Sequence, residues 1–267
     1  MNATKVILIT GISSGFGLEA ARLLSEKGYT VYGTIRREVE RIPGVNYLFA
    51  DVTEAGAGER VVREVIDKEG RVDMLVCNAG MGIGGPIEFC HDEDIELQMK
   101  TNFGGMVNFS KAVLPYMRQQ KGGKIVFLSS IGGLMGLPFQ GFYSASKYAV
   151  EGYAEALRME MHSSGVSVSV INPGDFSTGF TAKRKKVSEE AALAYPAYAR
   201  GMAKIENDEG SGLKPAKVAR VIAKIAESRS PRCRYIVSTL EQGLSVLLKT
   251  ILPTRLFEKI LRDYYKM

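Results

Sequence analysis

A doubly wound α/β fold, one parallel sheet of about seven strands with helices on both faces, is what this chain predicts. Three observations predict it. Short apolar runs alternate with amphipathic segments along most of the 267 residues, and parallel neighbours in a sheet require crossovers that are usually helical. Residues able to do chemistry stand directly after successive runs: a glycine turn after the first, Arg36 after the second, Asp51 after the third, Asn78 after the fourth, Ser130 after the fifth and Pro173-Gly174 after the sixth. Ligands of such sheets bind at the carboxyl ends of the strands, so these residues are expected to converge on one edge. No Pro/Gly/Ser-rich linker or charge block divides the chain, which predicts a single domain over residues 1–267.

The first strand, Lys5 to Thr10, runs into Gly11-Ile12-Ser13-Ser14-Gly15-Phe16-Gly17 and then an amphipathic helix from Leu18 to Lys27. A glycine turn lets backbone approach a pyrophosphate, and the free N–H groups and positive dipole end of the helix favour its charge. The spacing GxxxGxG differs from the GxGxxG of many dinucleotide sites. Tyr29 to Ile35 is the second strand and ends in Arg36-Arg37. In a Rossmann-type sheet this tip meets the adenosine ribose, where an acid takes the 2′-hydroxyl of NAD and an arginine the 2′-phosphate of NADP. Glu38 and Glu40 follow closely and are placed to neutralise part of the patch.

The third strand, Val45 to Ala50, ends in Asp51, and a helix over 54–69 carries Val61, Val62, Val65 and Ile66 on its apolar face. The fourth, Val72 to Val76, opens into Cys77-Asn78-Ala79-Gly80, whose small side chains leave space for a flat ligand. A long helical region is expected from Glu88 to Arg118, with a break or kink at Pro115. Asn102 sits within it among apolar neighbours, so its amide requires a defined partner.

The next stretch joins spacing to chemistry. Ile125 to Leu128 is a strand, Ser130 stands at its end, and Tyr143 begins a helix to His162 that carries Lys147 at i+4, on the same face. A tyrosine hydroxyl titrates near ~10, and a neighbouring ammonium lowers that value, so the pair is a candidate acid/base unit. The Ser130 hydroxyl can donate to a carbonyl oxygen as charge develops there. Leu134, Met135, Leu137 and Phe139 lie between, and line either an apolar substrate pocket or the core. The sixth strand, Val166 to Ile171, ends in Asn172-Pro173-Gly174, a helix follows over Pro215 to Ser228, and Arg234 to Val237 is the seventh strand. Residues 176–212 are polar and irregular, and read as a mobile substrate lid with short helices. Residues 240–267 are an amphipathic C-terminal extension, rich in Leu, Lys and Arg and divided by Pro253 into two short helices. Such an end covers the pocket, forms a subunit interface or lies on an anionic membrane.

The net charge of +6 would suit nucleic acid, an anionic membrane or a phosphorylated ligand. Outside Lys183-Arg184-Lys185-Lys186 the basic residues are interspersed with acids, and no aromatic-basic pattern for single strands occurs, so nucleic acid is not an expected partner. Cys77, Cys90 and Cys233 are too scattered for a disulfide framework or a metal site, so free thiols and no metal are expected. The early first strand and the lack of any apolar run near the ~20 residues of a membrane span predict a cytoplasmic protein. Its contact with membrane, if any, is expected to be peripheral and made by the extension.

Taken in order, Thr10-Gly11-xxx-Gly15-x-Gly17, Asn78-Ala79-Gly80, Asn102, Ser130, Tyr143 and Lys147 resemble the short-chain dehydrogenase/reductase family, over Thr10 to Thr178. The stretch SIGGLMGLPFQGFYSASKYAVEG most resembles the branch of 17-beta-hydroxysteroid and retinol dehydrogenases. The resemblance implies a catalytic tetrad in which Tyr143 exchanges the proton, Lys147 bonds the nicotinamide ribose and lowers the tyrosine pKa, Ser130 holds the carbonyl and Asn102 supports a water relay. It further implies that Gly11, Ser13, Ser14, Gly15, Phe16 and Gly17 form the cofactor turn. Arg36 with Ser13 would read the 2′-phosphate, Asp51 and Val52 would meet the adenine, Asn78, Ala79 and Gly80 would stabilise the sheet edge, and Pro173, Gly174 and Thr178 would hold the carboxamide. Two departures are Cys77, where the family has a first Asn, and Phe176, where a Val is common.

The activity so implied is NADP(H)-dependent hydride transfer to or from a secondary alcohol or ketone of a hydrophobic substrate, a steroid, retinoid or long-chain lipid, by a homodimer or homotetramer. Two alternatives stand beside it: a 3-keto lipid or 3-oxoacyl reductase, and an NADP(H)-binding sensor with little turnover, which would have no need of Tyr143 and Lys147 together.

Overall fold

The computed structural model describes residues 4–188 and 190–267; residues 1–3, and residue 189 within the expected lid, lie outside the described set. In chain order the elements are β1 (Val6–Ile9), α1 (Gly15–Glu26), β2 (Thr30–Ile35), β3 (Val45–Phe49), α2 (Ala57–Glu69), β4 (Met74–Cys77) and β5 (Ile83–Gly84). There follow α3 (Asp92–Met99), α4 (Gly105–Gln119), β6 (Gly123–Leu128), α5 (Gly141–Glu160), β7 (Val166–Pro173), β8 (Lys185–Lys186), α6 (Glu190–Ala194), α7 (Tyr198–Gly210), α8 (Ala216–Glu227), β9 (Arg234–Val237), α9 (Leu240–Ile251) and α10 (Thr254–Tyr264).

Seven strands form one sheet in the order β3-β2-β1-β4-β6-β7-β9, and every pairing in it is parallel. The first half of the chain builds outward from β1 in one direction and the second half in the other, so the strand order reverses between β1 and β4. Such a reversal leaves a crevice at the carboxyl ends of the strands.

Why β1 is so apolar follows from its place. Val6 and Leu8 pack on one face with Val61, Val65, Phe109 and Met117 from α2 and α4. Ile7 and Ile9 pack on the other with Ala20, Leu24, Val218 and Ile222 from α1 and α8. A strand covered on both faces buries every side chain, and successive residues alternate between the two cores.

The expected single helical region from Glu88 to Arg118 is in fact α3, a π turn over Lys100–Gly104 and α4. The expected break at Pro115 does not occur, and α4 runs through to Gln119. Val113 and Met117, both fully buried, hold the turns on either side of the proline against the sheet. A small second sheet, not anticipated, pairs β5 with β8 at Ile83↔Lys185 and Gly84↔Lys186. It ties the segment over 176–212 to the loop after β4, and an ion pair between the buried Arg184 and Glu209 closes that segment on itself.

The extension forms two helices divided at Pro253, as the sequence indicates. A capping box at Thr239 and Gln242 starts α9, and Phe257 of α10 is buried against Ile131 and Met135. One face of the pair therefore packs on the loop after β6. The other exposes Leu240, Leu247, Ile251 and Leu256. Among the described residues no helix is long and apolar enough to cross a membrane.

Candidate active site

The crevice opens into a cavity of about 1070 Å³ at the carboxyl edge of the sheet. At its floor, Gly11 and Gly15 take positive φ of 74° and 62°. Gly17 is required for a different reason: a Cβ there would come within 2.3 Å of the Gly11 carbonyl oxygen and 2.5 Å of Asn78 Nδ2. Asn78 explains the closeness, since its Nδ2 donates to the carbonyl oxygens of Thr10 (2.9 Å) and Gly11 (2.8 Å). In return the Thr10 hydroxyl oxygen accepts from the backbone N–H of Asn78 and of Ala79. The glycine turn and the loop after β4 are thus one rigid unit.

No side chain caps the start of α1, and Ser13, Ser14, Gly15 and Phe16 face the cavity there. First-turn N–H groups at a helix start suit a pyrophosphate, so the residues present fit a dinucleotide. Lys183, from the basic run, brings its Nζ to 3.1 Å from Ser14 Oγ. At the tip of β2, Arg36 is largely exposed and lies 3.4 Å from Asp51. Burial pushes the Asp51 carboxyl up, but hydrogen bonds from the Thr53 N–H (2.9 Å) and hydroxyl (2.8 Å), with the Arg36 charge, outweigh it and hold the group below the usual range. Glu38 pairs with Arg41.

The catalytic candidates meet at the centre of the crevice. Ser130 is delivered by β6: its Oγ accepts from the Gly132 N–H at 3.0 Å and donates to the Pro173 carbonyl at 3.5 Å. Gly132 sits between the two side chains: a Cβ there would make ordinary contacts of 3.4 Å with Ser130 Oγ and Tyr143 Cε1, and a tighter one of 3.1 Å with Leu137 Cδ1. Lys147 is buried and donates from Nζ to the Leu128 carbonyl at 2.8 Å. Asn102, in the π turn, is fully engaged: Oδ1 accepts from the Met81 N–H (2.8 Å), and Nδ2 donates to the Met81 carbonyl (2.9 Å) and Ser146 Oγ (3.0 Å). The π turn gives this interior residue its partner, the backbone of the loop after β4.

The expectation that Lys147 lowers the Tyr143 pKa is not met in this arrangement. Burial pushes the tyrosine hydroxyl up to about 12, against the pull of a hydrogen bond with Ser130. Burial also pushes Lys147 down to about 8, opposed by the Glu151 carboxylate. Low-dielectric surroundings disfavour both charged forms, and the lysine points at a carbonyl. Tyr143 is accordingly a protonated hydroxyl facing the cavity, poised to give a proton to a substrate oxygen.

Of the residues singled out in the sequence, Gly11, Arg36, Asp51, Val52, Asn78, Ala79 and Gly80 line the cavity with the turn. So do Ser130, Tyr143, Lys147, Pro173, Gly174 and Thr178. Gly17 and Asn102 stand behind the wall as supports. Met135 and Leu137 line it as expected, whereas Phe139 packs into a separate cluster against Tyr198. Phe176 closes edge-on over Phe16, ring centroids 4.9 Å apart. Sequence reasoning missed Phe180, whose ring lies 5.7 Å from that of Tyr143, and the residues that join Asp175 at its end of the cavity: Asp208, Glu209, Tyr264 and Tyr265. These come from segments with no motif, and only the fold assembles them.

Comparison with known proteins agrees with this geometry. The short chain dehydrogenase family model matches residues 5–189. The chain is 46% identical over 263 residues to the 3-ketodihydrosphingosine reductase of Bacteroides thetaiotaomicron, covering 98% of each chain. It is 39% identical over 201 residues to human 17-beta-hydroxysteroid dehydrogenase type 1, covering 68% of this chain and 60% of that one. A solved short-chain dehydrogenase from Streptomyces avermitilis superposes with a TM-score of 0.82 at 28% identity, over 98% of this chain and 99% of that one. A glycine turn, a serine, a tyrosine and a lysine on a shared fold thus agree with a match that spans most of the sequence, and this chain belongs to the short-chain dehydrogenases, oxidoreductases that act on carbonyl and hydroxyl groups with a nicotinamide cofactor.

Proposed function

We propose that the protein is an NADPH-dependent reductase of the 3-keto group of a long-chain, sphingoid-type lipid. The observation that carries the reading is the end-to-end 46% identity with a 3-ketodihydrosphingosine reductase, which includes the extension and the segment over 176–212. The chemistry of the cavity supports it. When bound, the nicotinamide supplies a hydride to the carbonyl carbon. Tyr143 gives its hydroxyl proton to the carbonyl oxygen, Ser130 hydrogen-bonds that oxygen as charge builds on it, and Lys147 would hold the cofactor's ribose. The ketone is reduced to an alcohol, the nicotinamide is oxidised, and Tyr143 recovers a proton from solvent.

Preference for NADPH is supported by Arg36 and Arg37, which with Ser13 line the cavity wall and stand where an acid would follow β2. A long chain is supported by the apolar wall of Met135, Leu137, Leu244, Leu248 and Leu261 that the extension completes. The exposed leucines of α9 and α10, with Lys249, Arg255 and Lys259 on the same helices, further support contact with an anionic bilayer as the source of such a substrate. Co-sedimentation with anionic but not zwitterionic vesicles, lost on Leu247→Ser with Ile251→Ser, is the result expected of that contact.

The test of activity follows loss of reduced nicotinamide absorbance with purified protein. NADPH is compared with NADH over a 3-keto sphingoid base, steroid ketones, retinal and short 3-oxoacyl esters. Rapid NADPH-specific turnover of the sphingoid ketone is expected. Turnover of a steroid ketone with the sphingoid ketone untouched would overturn the reading.

A further inference from the structure

We infer that Asp175 is a specificity-determining residue, whose carboxylate holds the ammonium group of a long-chain amino ketone next to Tyr143. The inference rests on the substrate reading above, since a 3-keto sphingoid base carries an amine on the carbon beside its carbonyl, and it adds to that reading the residue that recognises the amine.

The place of Asp175 is fixed by the sheet. It follows Pro173-Gly174 at the end of β7; the Gly174 N–H donates to the Val237 carbonyl at 3.0 Å, and the Leu213 N–H donates to the Asp175 carbonyl at 3.0 Å. Its side chain faces the cavity. Oδ2 accepts from Gln242 Nε2 at 2.5 Å, and Oδ1 accepts no hydrogen bond from the described residues. The single partner is a neutral amide that belongs to α9, so the contact fixes the carboxylate without neutralising it.

A count of charges around it gives the same result. Three carboxylates, Asp175, Asp208 and Glu209, line this end of the cavity. Lys204 Nζ is 2.6 Å from both Asp208 oxygens, and Arg184 pairs with Glu209. The other nearby cations are engaged elsewhere, Lys185 with Asp94 and Lys183 at Ser14 beside the glycine turn. Of the three carboxylates, Asp175 is the one that no cation bonds among the described residues. Burial, with Glu209 and Asp208 close by, pushes that carboxyl up to about 6. An unpaired carboxylate in a semi-enclosed cavity is unfavourable, and a cationic ligand offsets that cost.

The electrostatics tie this carboxylate to the reacting group. Asp175 and Glu209 both raise the Tyr143 hydroxyl and Arg184 lowers it, which places the charged end within electrostatic reach of the reacting oxygen. The apolar wall of Leu244, Leu248 and Leu261 receives the chain. A cavity that is charged beside the catalytic tyrosine and apolar beyond it fits a cationic amphiphile whose ketone adjoins its amine. A steroid ketone has no group for Asp175.

The experiment uses the whole protein with NADPH and an amine-free long-chain ketone as reporter substrate, and compares dodecylamine with dodecan-1-ol as competitive inhibitors. Wild type is expected to bind the amine about tenfold or more tighter than the alcohol. Asp175→Asn is expected to bring that ratio close to one, while Asp208→Asn, whose charge is matched by Lys204, leaves the preference for the amine in place. NADPH binding and the melting temperature report whether each variant is folded. Equal inhibition of wild type by amine and alcohol would overturn the inference without any variant, and so would an amine preference kept by Asp175→Asn. An intact, Asp175-dependent preference in a protein that fails to reduce the 3-keto sphingoid base would leave the inference standing and remove the substrate reading instead.

Discussion

Lys147 and Tyr143 lie one turn apart on α5, yet the lysine Nζ sits 5.7 Å from the centroid of the tyrosine ring and bonds the Leu128 carbonyl. Burial moves the two groups in opposite senses, Lys147 down to about 8 and Tyr143 up to about 12. Between pH 8 and 10.5 the unfolded chain keeps a lysine proton that the folded protein has lost, so this group makes unfolding free energy rise with pH. Between pH 10 and 12 the folded protein keeps a tyrosine proton that the unfolded chain has lost, so Tyr143 makes it fall.

The kinetic counterpart is a basic limb. kcat/KM reports groups of the free enzyme, and is expected to fall as pH rises through about 8, where Lys147 loses its charge. Lys147→Arg, which cannot deprotonate in this range, is expected to retain some turnover and to move the limb above pH 10. A limb unmoved in that variant would assign it to another group.

Tyr143→Phe removes the hydroxyl and keeps the ring against Phe180. Turnover is expected to fall about 10²- to 10⁴-fold, the range for loss of a positioned proton donor. NADPH affinity, measured by fluorescence titration, is expected to stay within about threefold. A matching loss of affinity would mean that the residue binds cofactor more than it moves a proton.

Arg36 is 70% exposed and, among the described residues, is anchored only by a 3.4 Å contact to Asp51, so its fork is free to close on a phosphate. Arg36→Ala is expected to weaken NADPH about 10- to 100-fold, as a charge-assisted bidentate contact is lost, and to leave NADH almost unchanged. Isothermal titration with both cofactors decides; equal weakening would remove Arg36 from phosphate recognition.

What the sequence made legible was whatever depends on short spacing. The apolar runs located all seven strands, most plainly the inner ones, which are covered on both faces, while β3 and β9 at the edges are half-exposed; the i, i+4 pair of Tyr143 and Lys147 needs only a helix to place it. The π turn was hidden, because one extra residue per turn barely disturbs a hydrophobic period, and Asn102 was seen to need a partner without revealing Met81. Asp175, Asp208 and Gln242 were invisible as a group: they are brought together by β7, α7 and α9, and no local pattern records that meeting. The pKa relation was misread for a related reason. Spacing shows that two groups share a face but not how deeply both are buried, and burial decides here.

Gly17 and Gly15 separate two kinds of glycine requirement in one turn. A Cβ on Gly17 would strike the Gly11 carbonyl oxygen and Asn78 Nδ2, two groups already bonded to one another, so neither can give way without opening the unit that joins β1 to β4. A Cβ on Gly15 would meet nothing nearer than 3.8 Å, and its cost is the positive φ alone. Gly15→Ala is expected to lower stability by about 1–2 kcal/mol and leave measurable NADPH binding. Gly17→Ala is expected to cost about 1–3 kcal/mol by overpacking and to abolish binding, because the backbone that approaches the pyrophosphate must shift. Thermal melts with and without NADPH check both. Stabilisation by cofactor should persist in the first variant and vanish in the second, and a Gly17→Ala protein that still gains stability from NADPH would show that the turn tolerates the added methyl.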